Sequence, residues 1–197
     1  MKKKATKQRL LESMLQLVSQ KGYLGATTRE ISQRAGVTEL TLFRHFGTKE
    51  KLFEELLSSY AFLPRLKELM PELASLGYEE ALSLIAVRFL LTLKERKSMM
   101  KILLSEIHIY PEKVKKMYRS YVNEVLTTLA HYFVSIQEKG LLRNVSPEVA
   151  ARTFLGMLVN YFRTEEIMKE NGMTKKRMEQ NVDAMVDIFI NGTLKRN

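Results

Sequence analysis

One short segment near the N-terminus combines cationic, hydroxyl and apolar side chains at helical spacing. On a helix, Leu42 and Phe46 lie one turn apart on the same face, while Thr41, Arg44 and His45 point away from them together. An arginine can donate two hydrogen bonds to guanine O6 and N7, and a threonine methyl group can contact the thymine methyl group. The segment therefore predicts a helix that reads base edges in a DNA major groove.

The elements that must position this helix follow from capping and break signals around it. Thr27 and Glu30 fit the N-cap and N3 positions of a capping box, which opens a short helix that ends at Ala35 before Gly36. Thr38 caps the next helix, so the segment predicts a helix, a turn and a second helix. Residues that lie at helix starts, where free N–H groups favour phosphate oxygens, are Thr27, Thr28, Thr38, Thr48 and Lys49.

Positive charge is concentrated in the same part of the chain. Residues 1–52 hold eleven Lys or Arg against four Asp or Glu, a net charge of +7, whereas the other 145 residues carry only +3. A basic module on a nearly balanced body is typical of proteins that bind polyanions. A basic surface that only increases solubility explains the same distribution, so charge by itself leaves both interpretations open.

Length and composition describe an ordinary globular chain. Its 197 residues are 45% apolar and 27% charged, enough for one large core or for a small module joined to a larger one. The absence of cysteine excludes a disulfide framework and a thiolate metal site, and it favours a reducing cytoplasm. The charged start does not resemble a signal peptide, and the most apolar run, residues 81–93, is too short to cross a bilayer.

The spacing of apolar residues is helical almost everywhere, and no sustained period-two run indicates a strand. The sequence therefore predicts an all-α fold of about nine helices. We expect a three-helix helix-turn-helix domain in residues 1–47 and a larger helical domain in residues 48–197. Pro64 and Pro71 are expected to interrupt the chain between the fourth helix and the next.

A family resemblance lies in residues 27–56. The segment TTREISQRAGVTELTLFRHFGTKEKLFEEL resembles the N-terminal domain of the TetR (tetracycline-repressor-type) family of bacterial transcriptional regulators. The positions that match the family pattern are Thr27, Thr28, Ile31, Ala35, Gly36, Val37, Thr38, Leu42, Phe43, His45, Phe46, Thr48, Lys49, Glu50 and Leu52. The resemblance implies a homodimeric, sequence-specific DNA-binding regulator, a repressor that a small, largely hydrophobic ligand releases from a palindromic operator.

The resemblance also implies roles for individual residues of the helix-turn-helix. Positions that commonly contact backbone phosphates hold Thr28, Thr38, His45 and Lys49. Positions from which family members reach base edges hold Arg29, Glu39, Leu40, Thr41 and Arg44. Two positions hold residues other than those that are frequent in the family. Phe43 replaces a tyrosine that often donates to phosphate, and can still pack on sugar; Leu40 replaces a small residue or proline, and could contact a thymine methyl group.

The larger domain is expected to hold a small-molecule pocket. The candidates are methionine, aromatic and other apolar residues with a few polar tips: Phe89, Met99, Leu103, Ile107, Tyr110, Met117, Tyr121, Met157, Asn160 and Tyr161. Such walls suit a flexible, mostly hydrophobic ligand. Ordinary core packing explains the same residues, and that alternative stays open.

The last two helices are the expected dimer interface. A dimer would present two identical reading helices to a palindrome. The candidate interface residues are Val149, Phe154, Met178, Val182, Met185 and Phe189. The alternative is that these stripes face the monomer's own core.

The sequence also bears on two other classes of function. An enzyme is disfavoured because His108 and His131 lack metal-ligand spacing and no nucleophile elbow is present, so we expect no catalytic residue, metal or cofactor. We likewise expect no membrane partner. An architectural protein that coats DNA without sequence preference is the main alternative. It fits residues 1–52 but gives the larger domain no purpose.

Overall fold

The computed structural model describes residues 2–60, 62–169 and 172–194, and it confirms the all-α fold. In these ranges the α-helices are α1 (Lys2–Gly25), α2 (Thr28–Arg34), α3 (Glu39–Phe46), α4 (Lys49–Tyr60), α5 (Phe62–Leu73), α6 (Tyr78–Glu95), α7 (Lys97–Glu106), α8 (Glu112–Glu138), α9 (Pro147–Phe162) and α10 (Lys175–Thr193). A 3-10 turn covers Ile107–Ile109, and a π-helical segment covers Arg163–Met168. None of the helices described is both long and apolar enough to cross a membrane.

Helix α5 forms where the two prolines were expected to interrupt the chain. Pro64 lies in its first turn, where backbone N–H groups have no partner inside the helix in any case. Pro71 lies near its C-terminal end, so the helix loses a hydrogen bond only in its last turn. Burial offsets that loss, and the buried residues of α5 are Phe62, Leu63, Leu66, Leu69 and Leu73.

Contacts divide the chain into two compact units. The first unit comprises residues 1–61 and 96–121, and the second comprises residues 62–95 and 122–197. The boundary expected between residues 47 and 48 stays a prediction. The first unit nevertheless contains the whole helix-turn-helix together with α7, which follows it by some fifty residues in sequence.

The core of the first unit draws on residues far beyond the helix-turn-helix. Leu42 and Phe46 of α3 are buried with Ile31 and Ala35 of α2. The residues that complete this core from α4, α7 and the start of α8 include Leu52, Phe53, Leu56, Met99, Leu103, Tyr110 and Val114. Helices as short as α2 and α3 bury little surface by themselves, so they depend on these neighbours for stability.

Helix α1 bends sharply before its last turn. Lys21 and Gly22 leave the helical conformation, and Gly22 has φ 74°, a backbone angle that favours glycine. Tyr23 follows and is buried, with its ring centroid 4.9 Å from that of Phe53 and 5.6 Å from that of Tyr110. The bend thereby ties the end of α1 to α4 and to the residues after α7.

The second unit has an aromatic core. Phe133 of α8, Phe154 of α9 and Phe189 of α10 meet with ring centroids 5.1 to 6.5 Å apart. Helix α6 packs against α5, α9 and α10. Beyond α9, the buried Glu166 accepts a hydrogen bond from the backbone N–H of Met173 (2.6 Å), which fixes the approach to α10.

Candidate DNA-binding interface

Both predicted helix caps of the helix-turn-helix are confirmed. The backbone N–H of Glu30 donates to the Thr27 hydroxyl (3.2 Å), and the Glu30 carboxylate accepts from the Thr27 backbone N–H (3.2 Å). Thr38 caps α3 by accepting from the Thr41 backbone N–H (3.3 Å). Gly36, with φ 65°, makes the turn between the two helices. Local sequence therefore determines where α2 and α3 begin.

The Glu30 carboxylate is also held by charge. It contacts the Lys21 ammonium, and this contact, followed by the hydrogen bonds from Thr27, lowers its pKa to about 2. An ionised carboxylate at the N-terminus of α2 is also favoured by the helix dipole. The side chain is exposed, so its contribution to stability is screened by solvent.

The outward face of α3 differs from the one expected. Leu42 and Phe46 are buried, as predicted, and Arg44 is exposed. However, Leu40 is 78% exposed and Phe43 is 43% exposed, whereas Thr41 and His45 are half-buried. The exposed ridge of the helix is therefore formed by Leu40, Phe43 and Arg44.

His45 turns toward α4 instead of standing beside Arg44. Its ring centroid lies 6.2 Å from that of Phe46. The other residues that line the open groove beside it are Phe46, Lys51, Glu54, Glu55 and Ser58. His45 is three residues after the buried Leu42, about 300° around the helix, so it lies within about 60° of the buried face and helical spacing alone leaves its direction ambiguous.

Two of the polar residues assigned to base reading are bound inside the protein. The Thr28 hydroxyl donates to Glu39 Oε1 (2.6 Å), which joins the start of α2 to the start of α3. The Thr41 and Thr38 hydroxyls hydrogen-bond to each other (3.0 Å). Glu39 therefore joins α3 to α2, and Thr41 stabilises the N-terminus of α3.

The two predicted arginines are exposed. Arg29 lies on α2 and Arg44 on α3. Within the described part of the chain, neither guanidinium has a hydrogen-bond or ion-pair partner. Both are therefore available to an external anion or base edge, and a guanidinium can bind either in a bidentate manner.

Lys49 is held in place by a residue that sequence reasoning missed. Its ammonium donates to the backbone carbonyl of Tyr23 (2.6 Å) and lies 4.2 Å from the centre of the Tyr23 ring. Desolvation lowers the pKa of this half-buried lysine. An ammonium has three N–H donors, so two remain beside the Tyr23 carbonyl bond. The aromatic residue after a helix-breaking glycine, in KGYLG, was the available signal for Tyr23.

Four of the predicted pocket residues meet in the first unit. Met99, Leu103 and Tyr110 are buried in its core, and Ile107 packs against them. The Tyr110 hydroxyl accepts from the Tyr23 backbone N–H and donates to Glu106, both at 3.3 Å, while burial raises its pKa to about 12. Met117 and Tyr121, which follow on α8, are half-buried.

The other pocket candidates belong to the second unit. Phe89 is buried against Phe62, with ring centroids 4.8 Å apart. Met157 and Tyr161 are half-buried, and Asn160 is exposed. The Tyr161 hydroxyl accepts from Asn181 of α10 (3.2 Å). The candidates are thus divided between two units, and a common pocket stays a prediction.

The predicted dimer residues separate into two groups. The first group is buried within the second unit itself: Phe154, Met178, Val182 and Phe189. Their burial within one chain is what the alternative left open by the sequence, packing in the monomer's own core, leads us to expect, and their place in an interface stays a prediction. Val149 is 56% exposed and Met185 is half-buried, so these two keep accessible surface.

The described residues contain no group of three or more His, Asp or Glu side chains that could hold a metal ion. His108 and His131 are both exposed and lie in different units.

Comparison with known proteins identifies both parts of the chain. Residues 10–56 match the family model of bacterial regulatory proteins of the tetR family, and residues 80–192 match the C-terminal domain of AefR-like transcriptional repressors. The HTH-type transcriptional regulator YvkB of Bacillus subtilis is 29% identical over 157 residues, which cover 80% of this chain and 81% of that protein.

Two solved structures have the same fold along nearly the whole chain. A TetR-family regulator of Mesorhizobium loti has a TM-score of 0.81 at 22% identity, covering 99% of this chain and 100% of that one. NalD of Pseudomonas aeruginosa, the secondary repressor of the MexAB-OprM multidrug efflux pump, has a TM-score of 0.76 at 16% identity, with the same coverage. The chain belongs to the tetR family of bacterial regulatory proteins and is a DNA-binding transcriptional regulator.

Proposed function

We propose that the protein is a homodimeric repressor that binds a palindromic operator and is released from it by a small, largely hydrophobic effector. The observation that carries the proposal is the exposed ridge of α3, which ends in a guanidinium and is backed by the buried Leu42 and Phe46. A helix that packs on the core with one face and exposes the other to solvent suits insertion into a major groove. The similarity of residues 80–192 to AefR-like repressors supports repression.

A second copy of the chain is proposed to cover the outer faces of α9 and α10. Val149 on α9 and Ile188 on α10 are 56% and 67% exposed. Next to Gly156 of α9 the space around the backbone is open, which would let another helix approach closely. Two-fold symmetry would then match the two half-sites of a palindrome, in the cytoplasm where bacterial DNA lies.

The effector is proposed to act through the core of the first unit. Met99 and Leu103 of α7 share that core with Leu42 of α3 and Leu52 of α4. A ligand that displaced the α7 side chains would shift α4, and α3 would move with it because packed cores are not continuously deformable. In a dimer this movement changes the separation of the two reading helices. Coupling of ~1–3 kcal/mol is typical of such two-site systems.

Selection from random duplex DNA, followed by anisotropy titration at several salt concentrations, tests the proposal. We expect an enriched palindrome with half-sites about one helical turn apart. We expect its affinity to exceed that for scrambled DNA by at least about a thousandfold. An operator placed across a promoter should then lower transcription in a purified system, and hydrophobic compounds that restore it would identify the effector class.

The architectural alternative makes the opposite prediction. A protein that coats DNA through phosphate contacts alone would bind with strong salt dependence and enrich no sequence. That outcome would overturn the proposed repressor. An enriched palindrome bound by a monomer would overturn only the proposed dimer.

A further inference from the structure

The exposed ridge of α3 carries two large apolar side chains. Leu40, the second residue of the helix, is 78% exposed, and Phe43 beside it is 43% exposed. Leu40 and Arg44 are four residues apart, so they stand next to each other on the same side of the helix. Leu40 and Arg44 therefore form adjacent exposed positions on α3.

The polar side chains next to this ridge are bound within the protein. Glu39 Oε1 accepts from the Thr28 hydroxyl (2.6 Å), and the Thr41 hydroxyl is bonded to that of Thr38 (3.0 Å). If Glu39 turned to a base edge, it would break the bond that joins α2 to α3, and if Thr41 did so, it would break a bond to the N-cap residue of α3. Direct readout by α3 is thereby left to the guanidinium of Arg44 and to the apolar surfaces of Leu40 and Phe43, of which Leu40 is the more exposed.

The chemistry of the major groove matches this pair. The thymine methyl group is the apolar group that base edges present there, and guanine O6 and N7 accept the two hydrogen bonds of an arginine. Side chains four residues apart on a helix have Cβ atoms about 5–6 Å apart. Successive bases along one strand rise about 3.4 Å. Leu40 and Arg44 can therefore contact bases one or two steps apart.

We infer that each half-site contains a guanine bound by Arg44 and, one or two base pairs away, a thymine whose methyl group contacts Leu40. Glu39 and Thr41 are positioning residues that fix α3 and read no base. This inference rests on the proposed function, because it names the specificity of the same DNA site.

A deoxyuridine scan of the selected operator tests the inference with the full-length protein. Replacing thymine by deoxyuridine removes only the methyl group and keeps the base pair and its O4 acceptor. For the wild-type protein, we expect about fourfold weaker binding at the thymine that Leu40 contacts, the effect of one buried methyl group. The same scan is repeated with Leu40→Ala, and with Leu141→Ala, which alters an exposed leucine of the second unit.

The comparison between variants separates direct contact from DNA shape. If Leu40 contacts the methyl group, Leu40→Ala binds both duplexes equally, whereas Leu141→Ala keeps the fourfold difference. Equal deoxyuridine sensitivity in wild type and Leu40→Ala, or no sensitive thymine near the guanine, would overturn the inference while the operator itself stands. Failure to select any operator would instead overturn the proposed function.

Discussion

Helices α3 and α10 carry similar apolar repeats but use them in different ways. Helix α10 buries its stripe in the second unit, where Val182 is fully inaccessible and Phe189 meets Phe154. Helix α3 buries Leu42 but leaves Leu40 and Phe43 exposed. An apolar helical repeat therefore identifies a face that must pack against another surface. Which surface that is follows from the rest of the fold.

This difference separates the two kinds of site expected from the sequence. A residue already buried in one chain contributes to folding, and a residue left exposed can contribute to binding. On that basis we assign the second unit's aromatic cluster to folding and propose the ridge of α3 as the surface that binds DNA. The following variants test the distinction.

The largest effect is expected from Phe154→Ala. Its side chain is fully buried between Phe133 and Phe189, so truncation should lower the free energy of unfolding by about 3–5 kcal/mol. Urea denaturation of wild type and variant measures this change. Val149→Ala, on the exposed side of the same helix, should change it by less than about 0.5 kcal/mol. If the Phe154→Ala protein keeps the wild-type free energy of unfolding but becomes monomeric, Phe154 belongs to the dimer interface.

A smaller effect, on binding alone, is expected from Arg44→Ala. Removing the guanidinium should weaken operator binding by about 1–3 kcal/mol, roughly five- to 150-fold, because the guanine contact is lost. Anisotropy titration with operator and with random DNA measures the ratio of affinities. Arg143→Ala, an exposed arginine of the second unit, serves as the control. If the operator-to-random ratio stays at the wild-type value, Arg44 does not read a base.

Lys49→Ala should weaken binding to all DNA sequences alike. If the ammonium held on Tyr23 also contacts a phosphate, the slope of log K against log salt should become less negative by about 0.9. Titration at several salt concentrations measures the slope for operator and random DNA, with Lys139→Ala as the control. An unchanged slope together with lower thermal stability would show that Lys49 only stabilises the bend near the end of α1.

The smallest effect concerns pH and Glu30. Its pKa is about 2 in the folded protein against an ordinary value of 4.5, so its stabilising contribution is complete above pH 4.5 and is lost as the pH falls toward 2. Glu30→Gln can keep the capping box but cannot titrate. We expect the thermal unfolding midpoint of this variant to fall less than that of wild type between about pH 6, above both pKa values, and about pH 3, where part of the contribution is lost. Glu138→Gln, at an exposed carboxylate of the second unit, serves as the matched control.

Sequence reasoning was most successful where structure is determined by neighbours along the chain. Thr27 and Thr38 cap α2 and α3 as predicted, and Leu42 and Phe46 are buried as predicted. It was less successful where a residue on the edge of a helix could turn either way. His45 lies beside α4, and Glu39 bonds to Thr28 across the turn. Helix α5 continues through Pro71 because burial of the leucines around it offsets the hydrogen bond that the proline removes.

By itself the sequence determined the all-α class, the positions of the helix-turn-helix caps and the family, because capping, glycine breaks and helical periodicity act over a few residues. The tertiary structure alone decided that Phe154 and Val182 lie in the second unit's core, and that Met99 and Tyr110 complete the core of the first unit. It also decided which side chains of α3 stay exposed. These outcomes depend on which distant helices pack together, and burial against a distant partner leaves no local signal in the sequence.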